Sequence, residues 1–321
     1  MASCADTKNR LFLAFPVESP IRKGCAGWPP LREVRSVFCL SLSLRRISAA
    51  ACLAAALLLA GGAFDTARAQ GKLDARYSAS LAGIPLGKGA WVIDITDNEY
   101  IAAASGMTTG LIRVFTGGQG SGAARGGIVS GNFAPASYSA SISSDKKTEE
   151  IRITLGGGNV KDFSITPQSP VSPKAIPVTD AHRRNVIDPM TASLVRAPGK
   201  DDPLNPESCK RHMAIFDGRI RYDLDFAYKR MDKVKADKGY AGPALVCSVY
   251  FSPVAGHVPE RAAVKYLTEL REMEVWLVPV AGTRILVPFR FSMPTPMGLG
   301  VLEATQFIAT PLPSKASVKT Q

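Results

Sequence analysis

The stretch LDARYSASLAG, residues 73–83, alternates apolar and polar side chains at every second position. Its apolar positions are Leu73, Ala75, Tyr77, Ala79 and Leu81, with Asp74, Arg76, Ser78 and Ser80 between them. Successive side chains of a pleated strand point to opposite faces, so a period of two separates a buried face from an exposed one. The stretch therefore predicts a β-strand that is buried on one side.

The same period continues along the chain between polar turn signals. AWVIDIT (90–96) and EYIAAAS (99–105) predict a hairpin across Asp97-Asn98. RHMAIF (211–216) and RIRYDLDFAYKR (219–230) predict a second hairpin, in which Asp217-Gly218 supplies the positive φ of a type I′ turn. Further strands are predicted at 107–116, 125–132, 136–143, 149–155, 159–165, 244–251, 273–280, 284–292 and 299–309.

A glycine-rich stretch, GGQGSGAARGG, occupies residues 117–127. It resembles a phosphate-binding loop at first sight, but it has neither the Walker nor the dinucleotide spacing, and no helical pattern follows it. We therefore expect a flexible hairpin loop here.

Helix signals are few. Asp188 predicts an N-cap, with Pro189 at the first helical position and residues 191–196 following. PERAAVKYLTEL (259–270) places apolar residues on one helical stripe. TPQSPVSPKAIPVTD (166–180), with four prolines, predicts an extended crossover within one domain, because the strand patterns before and after it are alike.

About a dozen strands at intervals of about ten residues, with one or two short helices, indicate a mostly β protein. We expect a single antiparallel sheet curled into an open barrel or spiral. Residues 70–312 form one β-rich domain in this prediction, long enough to bury a full core, and residues 313–321 form a flexible tail.

Residues 1–69 predict an N-terminal extension and a cleavable signal peptide. Arg45 and Arg46 precede the uncharged apolar run AAACLAAALLLA (49–60), and Ala67-Arg68-Ala69 offers small residues at a cleavage site. The alternative, an uncleaved anchor, needs about 20 apolar residues, more than this Ala- and Gly-rich run provides. We expect a soluble periplasmic protein, cleaved near Ala69, without a membrane span after cleavage.

The mature chain carries a modest positive charge. Residues 70–321 keep 30 of the 39 Lys and Arg and 23 of the 27 Asp and Glu, a net charge of +7. This excess is too small to indicate a nucleic-acid partner. It is typical of a soluble surface, or of one attracted to anionic lipid head groups.

Four of the six cysteines lie within residues 1–69, so the mature chain keeps only Cys209 and Cys247. The pair could in principle act as nucleophiles, metal ligands or a disulfide. No C-x-x-C motif is present, and the three histidines show no ligand spacing. Two cysteines in an exported chain predict a disulfide between Cys209 and Cys247.

Residues that could carry catalysis have simpler explanations. The sequence contains no G-x-S-x-G, H-E-x-x-H or Walker motif. Asp217 fits a turn, and Asp223 and Asp225 share a strand with Arg219 and Arg221, which predicts ion pairs. His257 lies in a turn-rich segment. We therefore predict no catalytic residue, no metal site and no cofactor, and we lean against an enzyme.

Two strands, EVWLVPV (274–280) and ILVPFRF (285–291), carry more large apolar side chains than their neighbours. They suit a packed core or, in a sheet that does not close, the lining of a groove for a lipid tail. The candidate groove residues are Trp276, Val278, Leu286, Phe289 and Arg290. Arg284 and Arg290 would suit an anionic head group or a plain surface role.

Five blocks together carry a family resemblance. They are YSASLAGIPLGKG, RRNVIDPMTASLV, FDGRIRYDL, GPALVCSVYFSPVAGH and EMEVWLVPVAGTRILVPFRF. Over residues 73–309 the chain resembles the exported bacterial family catalogued as domain of unknown function 3108. The resemblance implies a periplasmic, curled β-sheet protein, similar in shape to the carriers that hold acyl chains in half-open barrels. It implies no activity, because a fold does not determine function.

The expected function is support of the cell envelope by binding a lipid, a lipoprotein or another envelope protein. An enzyme acting on envelope glycans or lipids, and a structural scaffold without a small ligand, are the alternatives.

Export with cleavage gives a direct expectation. N-terminal sequencing of protein from the periplasmic fraction should begin at Gln70, within about two residues of the Ala-x-Ala site. Protein retained in the membrane with residues 45–65 intact would contradict the soluble assignment.

Overall fold

The computed structural model describes residues 70–109, 118–144, 147–168 and 170–312 of the 321-residue chain. The predicted signal peptide, the tail at 313–321 and most of the strand predicted at 107–116 lie outside the described residues. Strands dominate what is described, and no helix there is long and apolar enough to cross a membrane.

The described strands form one 15-stranded sheet that does not close. The strands are β1 (Gly71–Leu81), β2 (Ile84–Ile95), β3 (Glu99–Thr108), β4 (Gly118–Val129), β5 (Asn132–Ser144), β6 (Lys147–Gly156), β7 (Asn159–Thr166), β8 (Val195–Arg196), β9 (Arg211–Phe216), β10 (Arg221–Lys235), β11 (Lys238–Gly239), β12 (Ala241–Ala255), β13 (Met273–Pro279), β14 (Ile285–Thr295) and β15 (Gly298–Pro311). Their order is β7-β6-β5-β4-β3-β2-β1-β15-β14-β13-β12-β10-β9, with β8 beside β14 and β11 beside β15.

Neighbours in this order pair antiparallel, as expected, and the two-residue strand β11 pairs parallel to β15. From β1 to β7 each strand pairs with the next one in the chain, so this half is a series of hairpins. The last strand, β15, returns to pair with β1 along its whole length, from Gly71↔Pro311 to Leu81↔Gly300. This ladder joins the two halves of the sheet.

The two edges of the sheet, β7 and β9, are connected through a short segment rather than by direct pairing. The Val186 N–H donates to the Gly158 carbonyl at 2.8 Å, and the Ile187 N–H donates to the Ala214 carbonyl at 2.9 Å. Phe163 of β7 packs edge-on against Phe216 of β9, with ring centroids 5.6 Å apart. The fold is therefore the open, curled sheet that the sequence predicts.

Two short α-helices accompany the sheet, α1 (Pro189–Ala192) and α2 (Ala262–Glu269). Asp188 caps α1 as predicted, because its side chain accepts a hydrogen bond from the Thr191 N–H at 2.9 Å. The helix ends earlier than expected, since Val195 and Arg196 pair with the start of β14 as β8. Tertiary pairing has here replaced a continued helix.

Two local predictions were wrong. Residues 118–127, expected to form a loop, lie within β4, and the turn follows at Ser130-Gly131. The Asp217-Gly218 connection is a four-residue loop rather than a two-residue type I′ turn, since Phe216 pairs with Arg221. The Asp217 carboxylate accepts two backbone N–H groups there, which stabilises the longer loop.

Strands β12, β13 and β14 are buried on both faces. One face contributes to a core cluster that also holds the buried side chains of β1, β2 and β3. The other face forms a second cluster, against which Tyr266 and Leu267 of α2 pack. Their apolar runs therefore result from burial on two sides.

Cys209 and Cys247 form a disulfide, as predicted, with their Cα atoms 5.6 Å apart and both side chains fully buried. The bond connects the segment before β9 to the middle of β12, within the second cluster. The bond therefore fixes the segment before β9 against the second face of the sheet.

Removing the disulfide should destabilise the protein. Cys209→Ser and Cys247→Ser should each lower the free energy of unfolding by about 4 kcal/mol, because the bond closes a 38-residue separation. Chemical denaturation measures the change, and the double variant should be no less stable than either single one. Two freely alkylated thiols in protein taken from the periplasm would contradict the prediction.

Candidate functional site

The five predicted groove residues lie in packed surroundings. Val278, Leu286 and Phe289 are fully buried. The Phe289 ring contacts those of Tyr240 and Phe307, with centroids 6.2 and 5.7 Å away. Leu286 belongs to the second cluster rather than to the one that holds Val278 and Phe289. Of the two interpretations left open by the sequence, this arrangement is that of a packed core.

Trp276 and Arg290 form part of a cation–π stack. The guanidinium groups of Arg290 and Arg230 lie 4.8 and 5.4 Å from the Trp276 ring centroid. The indole N–H donates to the Asp232 carboxylate at 2.9 Å. Arg284 donates to the backbone carbonyls of Pro198 and Asp201. The side chains of Arg284 and Arg290 are therefore engaged in contacts within the protein.

The carboxylates considered for catalysis form ion pairs or bind backbone. Asp223 lies 2.6 Å from Arg221, and His212 Nδ1 lies 2.8 Å from Asp225. Arg219 pairs with Glu149, and this pairing lowers the Glu149 pKa. Within the described residues no group of three or more His, Cys, Asp or Glu could hold a metal ion.

An apolar cavity of about 510 Å³ lies instead on the buried face of β1, β2 and β3. We call it the glycine-floored groove. Its floor is formed by Ala79, Gly87, Gly89, Ala104 and Gly106. Its walls include Tyr77, Trp91, Met190, Pro288 and Leu302.

The strand register explains the floor. Tyr77 of β1 pairs with Gly89, which pairs with Gly106, which pairs with Gly120 of β4. Because alternate residues share a face, these glycines lie on the same face as the buried residues Trp91 and Ala102. Three neighbouring strands therefore present bare backbone where large side chains would otherwise fill the space.

The walls come from separate parts of the chain. The Tyr77 hydroxyl donates to the Pro288 carbonyl at 2.7 Å, which connects β1 to β14. Met190 projects from α1 toward β4, where a Cβ added to Gly122 would lie 3.5 Å from the Met190 methyl. The groove therefore depends on the position of α1.

A buried hydrogen-bonded chain fixes α1. The Thr191 hydroxyl donates to the Asp188 carboxylate at 2.6 Å and lies 2.6 Å from the Tyr100 hydroxyl of β3. All three residues are almost completely buried. Burial raises the pKa of Asp188, and the hydrogen bonds from Thr191 offset part of that rise.

The polar character of the groove is limited to a few groups. Among the described residues that line it, Lys88 is the only charged one, and none is Asp, Glu, His or Cys. Trp91 is 7 % exposed, and its buried indole N–H has no hydrogen-bond partner among the residues that the structure describes. A buried donor without an acceptor costs about 1–3 kcal/mol. The arrangement can hold an apolar chain and offer one hydrogen bond to it.

Exposed apolar side chains surround the end of β1, β2 and β15 beside the groove. Met297 and Ile84 are 75 % and 59 % exposed, and Leu299 and Leu302 are also exposed. Ala82 N–H donates to the Leu299 carbonyl, which holds the β1–β2 and β14–β15 turns together. Such clustered exposure is typical of a surface that contacts an apolar partner.

The sequence analysis did not find the groove residues. The sequence signal for the groove floor is the placement of small residues at every second position, Gly87 and Gly89 in β2 and Ala104 and Gly106 in β3. A loop needs no such period, whereas a strand places all of these on one face. The same period occurs at Gly118, Gly120 and Gly122, in the stretch that we interpreted as a flexible loop, but these three glycines are not among the residues that line the groove.

Fold and groove define a mostly antiparallel β-protein with an apolar pocket on one face of an open sheet. Residues 76–305 match the family described as protein of unknown function (DUF3108), and the chain belongs to this family. The crystal structure of a β-barrel-like protein of domain of unknown function DUF1849 from Brucella abortus is similar, with a TM-score of 0.43 and 8 % identity, over 76 % of this chain and 100 % of that one. No curated protein matches this chain in sequence.

The buried carboxyl group beneath the groove should make stability depend on pH. Because the folded-state pKa of Asp188 is raised above the ordinary value of 3.8, the folded state binds this proton more tightly than the unfolded state does. Wild type should therefore lose stability relative to Asp188→Asn as the pH rises from about 3.8 through the raised pKa.

Denaturant titrations of both proteins between about pH 3.5 and 7 measure the difference in unfolding free energy. Comparing the two removes the contributions of other carboxyl groups, such as Glu149. A difference that stays constant over this range would contradict the raised pKa.

Proposed function

We propose that the protein is exported to the periplasm and supports the cell envelope by binding the apolar chain of a lipid in the glycine-floored groove. The observation that carries this proposal is the groove itself, about 510 Å³ in volume and lined almost entirely by apolar groups and glycine backbone. Its volume lies in the range of about 300–1,000 Å³ that is usual for small-molecule sites.

The lining favours an acyl chain over a polar ligand. An apolar chain gains about 0.8 kcal/mol for each methylene group removed from water. The unpartnered Trp91 N–H supplies one donor for an ester or carboxyl oxygen. A sugar would need many hydrogen-bond partners, which these side chains do not provide.

Binding is favoured over catalysis by the same lining. General acid–base chemistry needs a titratable group within hydrogen-bond reach of the reacting atoms. Among the described residues no Asp, Glu, His or Cys lines the groove, and Asp217, Asp223 and Asp225 are engaged in a turn or in ion pairs. An enzyme on envelope glycans or lipids is therefore the weaker proposal.

The periplasmic location rests on two features of the chain. Arg45, the apolar run 49–60 and Ala69 have the order of a signal peptide. Cys209 and Cys247, the only cysteines after residue 69, form a disulfide, and such bonds persist in oxidising compartments.

A protein partner, such as a lipoprotein or another envelope protein, is the second candidate. One observation favours it, since β7 is an edge strand that pairs only with β6 among the described strands. A partner strand could add to that edge through main-chain hydrogen bonds.

The groove can be filled without disturbing the sheet. A Cβ at Gly106 would lie 3.5 Å from the nearest atom, the Lys88 carbonyl oxygen, which is ordinary contact. Gly106→Leu should weaken binding of a phospholipid or fatty acid by about tenfold or more, because displacing two methylene groups loses about 1.6 kcal/mol. Ala103→Leu is the matched control, since Ala103 is exposed on the opposite face of β3.

Two measurements decide the result. Native mass spectrometry of gently purified protein should show a bound lipid in wild type and Ala103→Leu but not in Gly106→Leu. Titration of a Trp276→Phe background with lipid should shift Trp91 emission to the blue. Equal lipid binding by wild type, Ala103→Leu and Gly106→Leu, at equal melting temperature, would contradict the proposal that the groove binds the lipid.

A further inference from the structure

A second and larger cavity, of about 1,010 Å³, lies where the two ends of the sheet meet. We call it the seam pocket and define it by Phe163, Arg183, Phe216, His257 and Arg261. It contains none of the residues that line the glycine-floored groove.

The proline-rich crossover forms one wall of the seam pocket. The Ile176 N–H donates to the His257 carbonyl at 2.9 Å, and the Gly256 N–H donates to the Ile176 carbonyl at 2.7 Å. These two bonds hold the crossover against the segment that leads into α2. The crossover is therefore held in place near its middle, at Ile176.

The interior of the seam pocket is mainly apolar. Phe163 and Phe216 pack edge to face at its base. Other apolar side chains that line it are Ile165, Val178, Ile220, Val258 and Val264. An apolar chain that entered this cavity would be removed from water along most of its length.

The charged residues that line the seam pocket are all cationic or potentially cationic. They are Arg183, Arg219, His257 and Arg261, and no Asp or Glu is among the described lining residues. A cavity whose walls carry one sign of charge attracts ligands of the opposite sign.

Two of these four side chains have carboxylate partners, and the other two have none within the described residues. Arg219 binds Glu149, and Arg183 donates to Asp180 at 3.1 Å while its guanidinium lies 4.7 Å above the Phe163 ring. Arg261 has no carboxylate partner within the described residues. The neighbouring carboxylate, that of Glu260, pairs with Lys265. The buried Nδ1 of His257 also lacks a hydrogen-bond partner there.

We propose that the seam pocket binds a long-chain carboxylate, a monoanionic amphiphile of the fatty-acid type. The carboxylate is held by Arg261 and His257, and the chain lies over Phe163 and Phe216. One free guanidinium matches one negative charge, and a carboxylate oxygen is an acceptor for an N–H of either residue. The proposal does not rest on the glycine-floored groove, with which the seam pocket shares no lining residue.

The test uses the mature, disulfide-bonded protein and isothermal titration with three probes of equal chain length: dodecanoate, dodecyl phosphate and dodecanol. The titrations use the Gly106→Leu protein, in which binding in the groove should be weakened by about tenfold or more, so that failure of one site is distinguished from failure of the other. Dodecanoate should bind at least about tenfold more tightly than dodecanol, as a charge-assisted hydrogen bond provides. Its affinity should fall as salt is added.

Arg261→Gln should weaken dodecanoate binding by about tenfold and leave dodecanol binding unchanged. Arg184→Gln is the matched control, because Arg184 is an exposed arginine next to Arg183 that does not line the pocket. Arg261 is itself exposed, so its replacement should leave the melting temperature unchanged. His257→Gln provides a second variant at the same head-group position.

Equal affinity for dodecanoate and dodecanol, or an Arg261→Gln protein that binds like Arg184→Gln, would overturn the proposal. Tighter binding of dodecyl phosphate than of dodecanoate would overturn the assignment of the head group. Absence of any dodecanoate binding in the Gly106→Leu protein would contradict the proposed seam-pocket site.

Discussion

The ladder between β1 and β15 is the constraint on which the rest of this structure depends. The strand at residue 71 and the strand that ends at residue 311 pair along their whole lengths, so the two halves share one continuous sheet. Without this ladder the hairpins β1–β7 would have no second half to cover their buried face. Leu73 and Ile93 share a core cluster with Val278 and Val287 because the ladder brings them together. The contact is distant in sequence, and its loop-closure cost must be met by burial on both sides.

Much of the fold could be predicted from the sequence because the alternation that indicates a strand is visible within a few residues. Alternation at Leu73, Ala75 and Tyr77 predicts both the strand and its buried face, and the buried positions of β1 agree. The Cys209–Cys247 bond was predicted from the number of cysteines after residue 69, whereas the single antiparallel sheet and the α1 cap at Asp188 follow from similarly short-range signals. The end of α1 did not, because pairing of Val195 with Leu286 is a contact across the fold that no local pattern encodes.

The candidate site could not be predicted in the same way, because a cavity is defined by missing side chains. EVWLVPV and ILVPFRF were considered as a groove lining because they are rich in large apolar residues. In the structure those residues fill space on both faces of β13 and β14. The groove lies instead where Tyr77, Gly89 and Gly106 align across β1, β2 and β3. That alignment depends on register, and register between strands is set by turns and core packing together.

Glycine within a strand lowers stability by roughly 0.5–1 kcal/mol relative to alanine, because it loses more conformational freedom on folding. A row of glycines on a buried face therefore needs support from its surroundings. Here α1 packs beside the row, and Asp188, Thr191 and Tyr100 fix α1 through buried hydrogen bonds. The hydrogen bonds from Thr191 offset part of the cost of burying the Asp188 carboxyl group, and the helix that they fix carries Met190, which walls the groove. A core selected for stability alone would fill this space with branched side chains and would have no use for a buried acid. The combination of a glycine row, a buried acid and an unpartnered Trp91 N–H is thus more consistent with a maintained cavity than with imperfect packing.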